Sequence, residues 1–409
     1  MSGQMKVCFE TFGCRLNRAE ALEEEAKYLA AGWTLTDRHS DADRIVIRGC
    51  SVTARAQREC EKLIAHLRRK YPNKRLFIQG CFKDDKAANP LSVVARVAKT
   101  ASDNLLPAPK AGLAAVTPLP TRTARAYLKV QDGCSCACTF CIVPKFRGAP
   151  VSVDFNDVIA KACRFIDSGY HEIVVTGCNL ALYASQGKRL PDLLSALADT
   201  AKDGNCRIRL GSVEPGACAT EVIRAMSEHA NICRFLHLTV QSGSDRILKA
   251  MRRPYSTKDV IENVLEAKRL MPTIGLGCDL MTGFPGESDI DFLSTKSLVQ
   301  RLPFANAHVF PFSERTGTPA AAMSASIPRE IRKARAHELA EIFRGKARLF
   351  AQQFIGKPVD VIIEDEKHQA GWTSEYVWFQ PKTTRATDLQ PRKALVTAIP
   401  RIYEHGWLR

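Results

Sequence analysis

Four cysteines fall within eight residues of this chain, in the segment QDGCSCACTFC at residues 131–141: Cys134, Cys136, Cys138 and Cys141. Thiolates this close in sequence can form disulfides, bind zinc, or hold an iron–sulfur cluster. The C-x3-C-x2-C spacing of Cys134, Cys138 and Cys141 suits three irons of a [4Fe–4S] cluster and leaves the fourth iron open. An open iron predicts a cluster that reacts with a ligand, because a fully ligated cluster can only pass electrons.

The two other chemistries fit the cysteines less well. The chain has 409 residues and an odd number of cysteines, 15, which argues against a disulfide framework. A closed zinc site needs four ligands, usually as two pairs separated by a longer loop. With Cys136 as the fourth ligand, all four would lie within eight residues. We therefore favour the cluster and interpret Cys136 as a spectator, with the role of an alternative ligand left open.

A second set of cysteines ends three short hydrophobic segments near the N-terminus. Cys14 ends TFGC, Cys50 ends IVIRGC and Cys81 ends FIQGC. The ends of neighbouring parallel strands meet at one edge of a sheet, where α/β proteins bind ligands. This recurrence predicts a second cluster site, the alternative being that the three are buried small hydrophobic residues. For Cys8 and Cys60 we favour that alternative.

Composition indicates a globular protein with a polyanionic partner. Hydrophobic residues make up 45% of the chain, charged residues 25%, and the net charge is +16. The excess is +7 in residues 1–120, +8 in 121–350 and +1 in 351–409, so it is not confined to a tail. RNA would be such a partner. With no run of eighteen apolar residues and no secretory-signal pattern in MSGQMKVCFETFGC, we expect a cytoplasmic location, where thiols stay reduced.

Strand and helix patterns predict an α/β fold in three parts. In residues 1–105, the strands KVCFETF, RIVIRG and RLFIQG alternate with helices, one of them with Asn17 and Glu20 as a capping box, which predicts a parallel sheet. A linker over 106–123 is rich in Pro, Ala and Thr. Six strand–helix units in 124–352 predict an incomplete (βα)6 barrel ending in a basic helix near 328–352, and 353–409 predict a small β-barrel.

These features together resemble a known enzyme family. The C-x3-C-x2-C motif with Phe140, directly after a first barrel strand, resembles the radical S-adenosylmethionine (SAM) superfamily. The three parts together resemble its methylthiotransferase family over essentially the whole chain, and residues 353–409 resemble that family's RNA-binding TRAM domain. The matching stretches are QDGCSCACTFCIVPKFRG, IRLGSVEP, LTVQSGSDRILKAMRR, DLMTGFPGE and HVFPFSERTGTPAA. TFGCRLNRAEA and GWTSEYVWF are most similar to the branch that modifies N6-threonylcarbamoyladenosine in tRNA.

The resemblance implies cofactors, partners and a reaction. The cofactors would be two [4Fe–4S] clusters, one on Cys134, Cys138 and Cys141 and an auxiliary one on the N-terminal three cysteines, together with SAM. The first cluster would split SAM to a 5′-deoxyadenosyl radical. The auxiliary cluster would present sulfur, methylated by a second SAM, for insertion at the adenine C2–H next to the anticodon of tRNA. An electron donor such as flavodoxin or ferredoxin and a sulfur donor would be further partners.

Several further residues are candidates for contacts with SAM. They lie at predicted strand ends or beside the cysteine motif: Phe140, Gly177, Glu214, Gln241, Gly283 and Gly286. Glycine lets the backbone approach a ligand closely. An ordinary ion pair for Glu214 and a strand-end hydrogen bond for Gln241 are the alternatives. The basic helix supplies candidate phosphate contacts or simply a solvated face: Arg329, Arg332, Lys333, Arg335, Arg344, Lys346 and Arg348.

Departures from the family pattern leave other functions open. The family usually has Asn-Thr where this chain has Arg48-Gly49, and Pro-Leu where it has Thr239-Val240. The C-terminal segment is short and nearly neutral, which weakens the case for strong RNA contact there. Alternative substrates are another modified tRNA adenosine or a ribosomal-protein aspartate. A non-catalytic iron–sulfur RNA-binding protein is the alternative of another class.

Overall fold

The computed structural model describes residues 4–52, 54–82, 93–95, 123–381, 394–404 and 406–409. The chain divides into two compact units. The first consists of Met1–Thr121, Gly133–Ser135 and Cys141–Ala149, and the second holds the remaining residues. Most of the predicted linker, residues 106–122, lies outside the described residues, and the predicted domain boundaries stay predictions.

The first unit is a parallel sheet with helices. Its elements are β1 (Lys6–Thr11), α1 (Arg15–Ala30), β2 (Thr34–Leu35), β3 (Arg44–Cys50), α2 (Ala54–Lys70), β4 (Arg75–Cys81), β5 (Val93–Ala95) and α3 (Val143–Arg147). The strand order is β2-β1-β3-β4-β5, and every pair is parallel. Hydrophobic side chains pack in two separate clusters, one of which includes Cys8 and Cys60. Both thiols are therefore buried in a core, as we favoured.

The start of α1 differs from the predicted capping box. Cys14, not Asn17, is the N-cap residue, and Asn17 lies inside the first turn. Its buried side-chain amide donates to the backbone oxygens of Phe12 and Gly49, each at 2.8 Å. Asn17 therefore joins the ends of β1 and β3 instead of capping its own helix.

The second unit begins with the predicted strand–helix repeats. Its strands as far as residue 311 are β6 (Ala126–Lys129), β7 (Gln131–Asp132), β8 (Val151–Ser152), β9 (Glu172–Thr176), β10 (Ala184–Ser185), β11 (Lys188–Arg189), β12 (Arg207–Leu210), β13 (Ser212–Val213), β14 (Phe235–Gln241), β15 (Gly275–Thr282) and β16 (Asn306–Pro311). Its helices are α4 (Phe155–Asp167), α5 (Leu190–Lys202), α6 (Ala217–Glu228), α7 (Asp245–Ala250), α8 (Thr257–Leu270), α9 (Asp289–Arg301) and α10 (Arg329–Gln352), with short 3-10 turns at Leu180–Leu182 and Pro319–Ala322.

The barrel strands follow one another in space in chain order. One sheet has the order β12-β9-β6 and the next has β13-β14-β15-β16, all parallel. The third barrel strand is divided between the sheets at Gly211, where a Cβ would lie 2.9 Å from the Val175 oxygen. The described strands do not close into a ring, so the predicted incomplete barrel is confirmed.

The chain ends in a β-rich segment of the second unit. Its strands are β17 (Val359–Asp365), β18 (Ala370–Thr373), β19 (Trp378–Phe379), β20 (Leu395–Ala398), β21 (Tyr403–Glu404) and β22 (Trp407–Leu408). They form one sheet in the order β20-β17-β18-β19-β22-β21, whose two edge strands are not paired with each other in the described part of the chain. No helix among the described residues is long and apolar enough to cross a membrane.

Candidate cluster and cofactor sites

The first unit brings Cys14, Cys50 and Cys81 together at one edge of its sheet. Cys50 and Cys81 are register partners at the ends of β3 and β4. Cys14 follows β1 as the N-cap of α1, and it is close enough to act electrostatically on both other thiols. Cys14, Cys50 and Cys81 therefore lie at the ends of three neighbouring strands, and their ligation of one cluster stays a prediction.

Two glycines make room for this arrangement. Gly13 has φ +90°, and a Cβ on it would lie 2.8 Å from the Cys50 sulfur. Gly80 has φ +87°, and a Cβ on it would lie 2.8 Å from the Gly49 oxygen. Both positions favour glycine through backbone conformation and through space.

The three thiols at this edge differ in exposure. Burial raises the pKa of the Cys50 thiol, and it raises the pKa of Cys81 to about 11 although the Arg147 guanidinium opposes it. Cys14 is exposed whereas the other two are buried. Three thiols that converge from three strands, one of them open to solvent, fit the donor set of a [4Fe–4S] cluster with one free iron.

Arg147, at the end of α3, contacts the same edge. Its Nε donates to the Cys81 sulfur at 2.9 Å and its Nη2 to Oδ1 of Asn17 at 2.9 Å. Its Nη1 forms an ion pair with Glu20 at 2.8 Å. The sequence analysis did not predict these contacts, because Cys81, Asn17 and Glu20 each lie more than sixty residues from Arg147.

In the second unit, Cys138 lies against a buried charged pair. Nη1 of Arg253 donates to the Cys138 sulfur at 3.0 Å, and its Nη2 is 2.5 Å from a carboxylate oxygen of Glu214. Thr239 and Tyr255 accept from the same guanidinium. Burial alone would lower the pKa of Arg253, but Tyr255, Glu214 and Cys138 outweigh burial and raise it. Arg253 is therefore a fixed cation beside a proposed ligand thiol.

Asn179 extends this network to Cys136. Its side-chain nitrogen lies 3.3 Å from Glu214 Oε2 and 3.5 Å from the Cys136 sulfur. Its backbone N–H donates to the Gln131 side chain at 2.9 Å, and a Cβ at Gly177 would lie 3.0 Å from the Cβ of Gln131. Gly177 is thus favoured by the close packing of the end of β9 against β7.

Gln241 and Phe140 have surroundings that suit a ligand. Gln241 ends β14 at an irregularity in its pairing with β15 and has φ +64°, unusual for a residue with a side chain. It is 7% exposed, and its Oε1 has no hydrogen-bond partner among the described residues. Phe140 is partly buried against a cluster that includes Met251 and Phe312. An unpaired amide oxygen beside a strained strand end fits a ligand with donor groups, such as SAM.

Gly283 and Gly286, which follow β15, have different surroundings. Gly283 has φ +68°, and a Cβ there would lie 2.2 Å from Cγ of Arg332. Gly286, at φ +81°, has the Ala325 Cβ at 3.9 Å as its nearest neighbour. Close packing of Arg332 explains Gly283, so the sequence argument for a close approach of SAM is not needed there.

The basic helix α10 is only partly available to phosphates. Arg332 is buried and bonds to the Ile327 and Phe312 oxygens. Arg335 is buried in an ion pair with Glu287 at 2.5 Å. These two predicted phosphate contacts are therefore wrong: both are internal ion-pair and hydrogen-bond residues. The other five remain candidates: Arg329, Lys333, Arg344, Lys346 and Arg348.

The three cysteines of the C-x3-C-x2-C motif belong to different units. Cys134 and Cys141 lie in the first unit and Cys138 in the second. Cys134 N–H donates to the Gly148 oxygen at 3.1 Å. Their joint ligation of one cluster stays a prediction from their spacing.

Comparison with known proteins defines the class. Residues 128–299 match the radical SAM superfamily, and residues 6–98 match an uncharacterized protein family, UPF0004. The threonylcarbamoyladenosine tRNA methylthiotransferase MtaB of Bacillus subtilis is 30% identical over 91% of this chain and 89% of its own. The tRNA-2-methylthio-N(6)-dimethylallyladenosine synthase of Cereibacter sphaeroides is 31% identical over 89% of this chain and 88% of its own.

A solved structure shows a related fold. The radical SAM methyltransferase TsrM of Kitasatospora setae superimposes with a TM-score of 0.53 over 78% of this chain and 74% of its own, at 12% identity. Residues 128–299 are those of a radical SAM enzyme. More narrowly, the chain belongs to the methylthiotransferase family. It is a transferase whose cofactors are two [4Fe–4S] clusters and SAM.

Proposed function

We propose that this enzyme inserts sulfur and a methyl group at C2 of N6-threonylcarbamoyladenosine next to the anticodon of tRNA. The main support for this proposal is the similarity to the B. subtilis MtaB over nearly the whole of both chains. The net charge of +16 agrees with a nucleic-acid substrate.

The residues divide between two tasks. Bound clusters and SAM would supply a carbon radical and a sulfur source for a C–H bond that lacks useful acidity. Cys134, Cys138 and Cys141 would hold one cluster, and Cys14, Cys50 and Cys81 the other. Arg253 fixes Cys138 and Glu214 relative to each other. The unpaired Gln241 oxygen would accept a hydrogen bond from SAM.

The remaining proposed SAM contacts are Phe140, Gly177, Glu214, Gly283 and Gly286. Phe140 offers an apolar ring, and Glu214 a carboxylate already paired with Arg253. A flavodoxin or ferredoxin would supply electrons, and a separate donor would replace the sulfur. We expect these steps to take place in the cytoplasm.

A second candidate substrate is dimethylallyladenosine. The synthase of C. sphaeroides is as similar to this chain as the B. subtilis MtaB is, at 31% against 30% identity. Both candidates share the adenine C2 as reaction position and differ only in the group on N6. Recognition of that group therefore separates them.

Nucleoside analysis tests the proposal. The chain would be expressed in a bacterium that makes both N6-modified adenosines but lacks its own methylthiotransferases. We expect the methylthio derivative of threonylcarbamoyladenosine in digested tRNA by mass spectrometry, and none with the Cys14, Cys50 and Cys81 triple alanine variant as control. A methylthio derivative of dimethylallyladenosine alone would replace the first candidate with the second, and unmodified tRNA would contradict both.

A further inference from the structure

Arg147 stands out because it joins two candidate cluster regions inside the first unit. It ends α3, a five-residue helix that begins two residues after Cys141. The Gly148 oxygen that follows Arg147 accepts from the Cys134 N–H at 3.1 Å. Arg147 is thus tied by a short stretch of chain to two proposed ligands of the radical cluster.

The guanidinium of Arg147 is committed to the auxiliary site. Its Nε is 2.9 Å from the Cys81 sulfur, and its Nη2 is 2.9 Å from Oδ1 of Asn17. Both oxygens of Glu20 accept from it, at 2.8 and 3.2 Å. The side chain is 8% exposed, so the charge acts at short range with little screening.

The charged residues around Arg147 set the charge near the Cys81 sulfur. Glu20 also pairs with Arg48 at 2.9 Å, and Arg48 pairs with Glu24 at 2.8 Å. Asn17 bonds the ends of β1 and β3, so it holds Arg147 relative to two of the three strands that carry cysteines. Of these charged groups, Arg147 contacts a proposed ligand sulfur, that of Cys81.

We propose that Arg147 is a positioning residue for the auxiliary cluster: it orients Cys81, raises the cluster's reduction potential, and holds the sulfur-bearing site in register with the loop of Cys134 and Cys141. A cationic N–H donor stabilises extra electron density on a ligand thiolate, and hydrogen bonds to ligating sulfurs are a main determinant of cluster potential. The role of Arg147 in keeping the sulfur-bearing site in register with the loop of Cys134 and Cys141 rests on the proposed function.

The potential would be measured where only the auxiliary cluster can form. In a Cys134, Cys138 and Cys141 triple alanine background, the variants Arg147→Gln, Arg147→Lys and Glu20→Gln would be reconstituted and titrated electrochemically with detection by electron paramagnetic resonance. We expect Arg147→Gln to lower the midpoint potential, because a cation is lost, and Arg147→Lys to lower it less. Glu20→Gln should raise the potential, because an anion is lost beside the same guanidinium.

Arg55→Gln is the matched control, because it removes an arginine of the same unit that is 85% exposed and pairs only with Glu59 among the contacts described. Equal midpoint potentials for Arg147→Gln and Arg55→Gln would overturn the proposal. Shifts of the same sign in Arg147→Gln and Glu20→Gln would also overturn it, since general loosening does not reverse with the sign of the charge. If Arg147→Gln loses its iron, the opposite shifts of Arg147→Lys and Glu20→Gln decide.

A second measurement uses the chain with all its cysteines. Arg147→Gln should yield less methylthio nucleoside per 5′-deoxyadenosine formed than Arg55→Gln does. An unchanged ratio would remove the register part of the proposal. The redox titration needs no tRNA, so it stands even where the substrate assignment fails.

Discussion

Arg253 shows at the scale of one residue how a buried charge can serve a cluster site. Its side chain is 8% exposed and it contacts the Cys138 sulfur, Glu214 and Thr239 at once. Glu214 is therefore ion-paired, which was the alternative to a SAM contact at the sequence level, and the same pair adjoins a proposed ligand. The two interpretations are compatible, because a paired carboxylate with a second oxygen can still accept from a ligand.

Replacing Arg253 tests this arrangement. Arg253→Gln leaves Glu214 buried without its cation and removes the donor to Cys138. Loss of a group that orients a metal ligand typically costs about 10–100-fold in affinity or activity. We expect SAM cleavage, followed as 5′-deoxyadenosine without tRNA, to fall by about that factor.

The adjacent Arg252 is the matched control, because it is exposed and carries the same charge. Arg252→Gln should cleave SAM at the wild-type rate. Equal rates for both variants would show that Arg253 does not act on the cluster site.

Spacing in the sequence identifies residues that act together only when they are close in the chain or recur at equivalent positions. The cysteines at the strand ends satisfy the second condition, and the structure gathers them. Arg147, Asn17 and Arg253 satisfy neither. Arg147 reaches Cys81 and Arg253 reaches Cys138 across more than sixty residues. Such contacts depend on tertiary folding, which a local pattern does not encode.

At the scale of elements, the β9–β12 pair is joined to the C-terminal sheet by buried charges. Glu172 on β9 is fully buried and lies 2.6 Å from both Arg207 and Arg209 on β12. These arginines also donate to the backbone oxygens of Trp372 and Thr373 at 2.8 Å. Burial alone would raise the pKa of Glu172, but the two guanidinium groups outweigh burial and lower it.

Glu172→Gln should destabilise this part of the molecule severely. The substitution keeps the shape but leaves buried arginines without their anion, which typically costs about 3–5 kcal/mol. We expect the free energy of unfolding in urea at pH 7 to fall by about that amount. Glu262→Gln, on an exposed pair with Lys258, is the control and should change it by less than about 1 kcal/mol.

The pH dependence gives a second check on Glu172. Because its pKa is lower in the folded than in the unfolded state, its ionised form stabilises the fold above the unfolded pKa. That contribution is lost as pH falls below about 4.3, the ordinary value for glutamate. The stability difference between wild type and Glu172→Gln should therefore shrink below that pH, and a constant difference would contradict the ion-pair explanation.

The sequence predicts a helix or strand correctly where the period of its hydrophobic residues and the length of the segment indicate the same element. The six barrel strands and α10 lie where the sequence predicts them, within a few residues. The start of α1 was not predicted correctly. Asn17 has the residue type of a helix cap, but its side chain joins two strands. The burial of Arg332 and Arg335 was also not predicted, because a run of basic residues does not reveal which of them face the core.

At the scale of the whole molecule, the two proposed clusters have separate ligand sets in the chain. Cys14, Cys50 and Cys81 come from the strand ends of the N-terminal sheet, and Cys134, Cys138 and Cys141 from one later segment. Fully loaded protein should therefore hold about eight irons, as expected for two four-iron clusters. Each triple alanine variant should hold about half of that, because the other ligand set stays intact.

The two triple variants should differ in activity. Replacing Cys14, Cys50 and Cys81 should leave cleavage of SAM to 5′-deoxyadenosine intact, because that reaction needs only the other ligand set and the SAM contacts. Methylthio nucleoside should disappear, since no sulfur would be available. Replacing Cys134, Cys138 and Cys141 should abolish both products.

Cys136→Ala is the control and should retain iron and both activities, because its sulfur contacts Asn179 and is not needed for a three-ligand set. Chromatography with mass spectrometry would quantify both products from the same reaction. Methylthio nucleoside made by the N-terminal triple variant would return those three cysteines to a structural role.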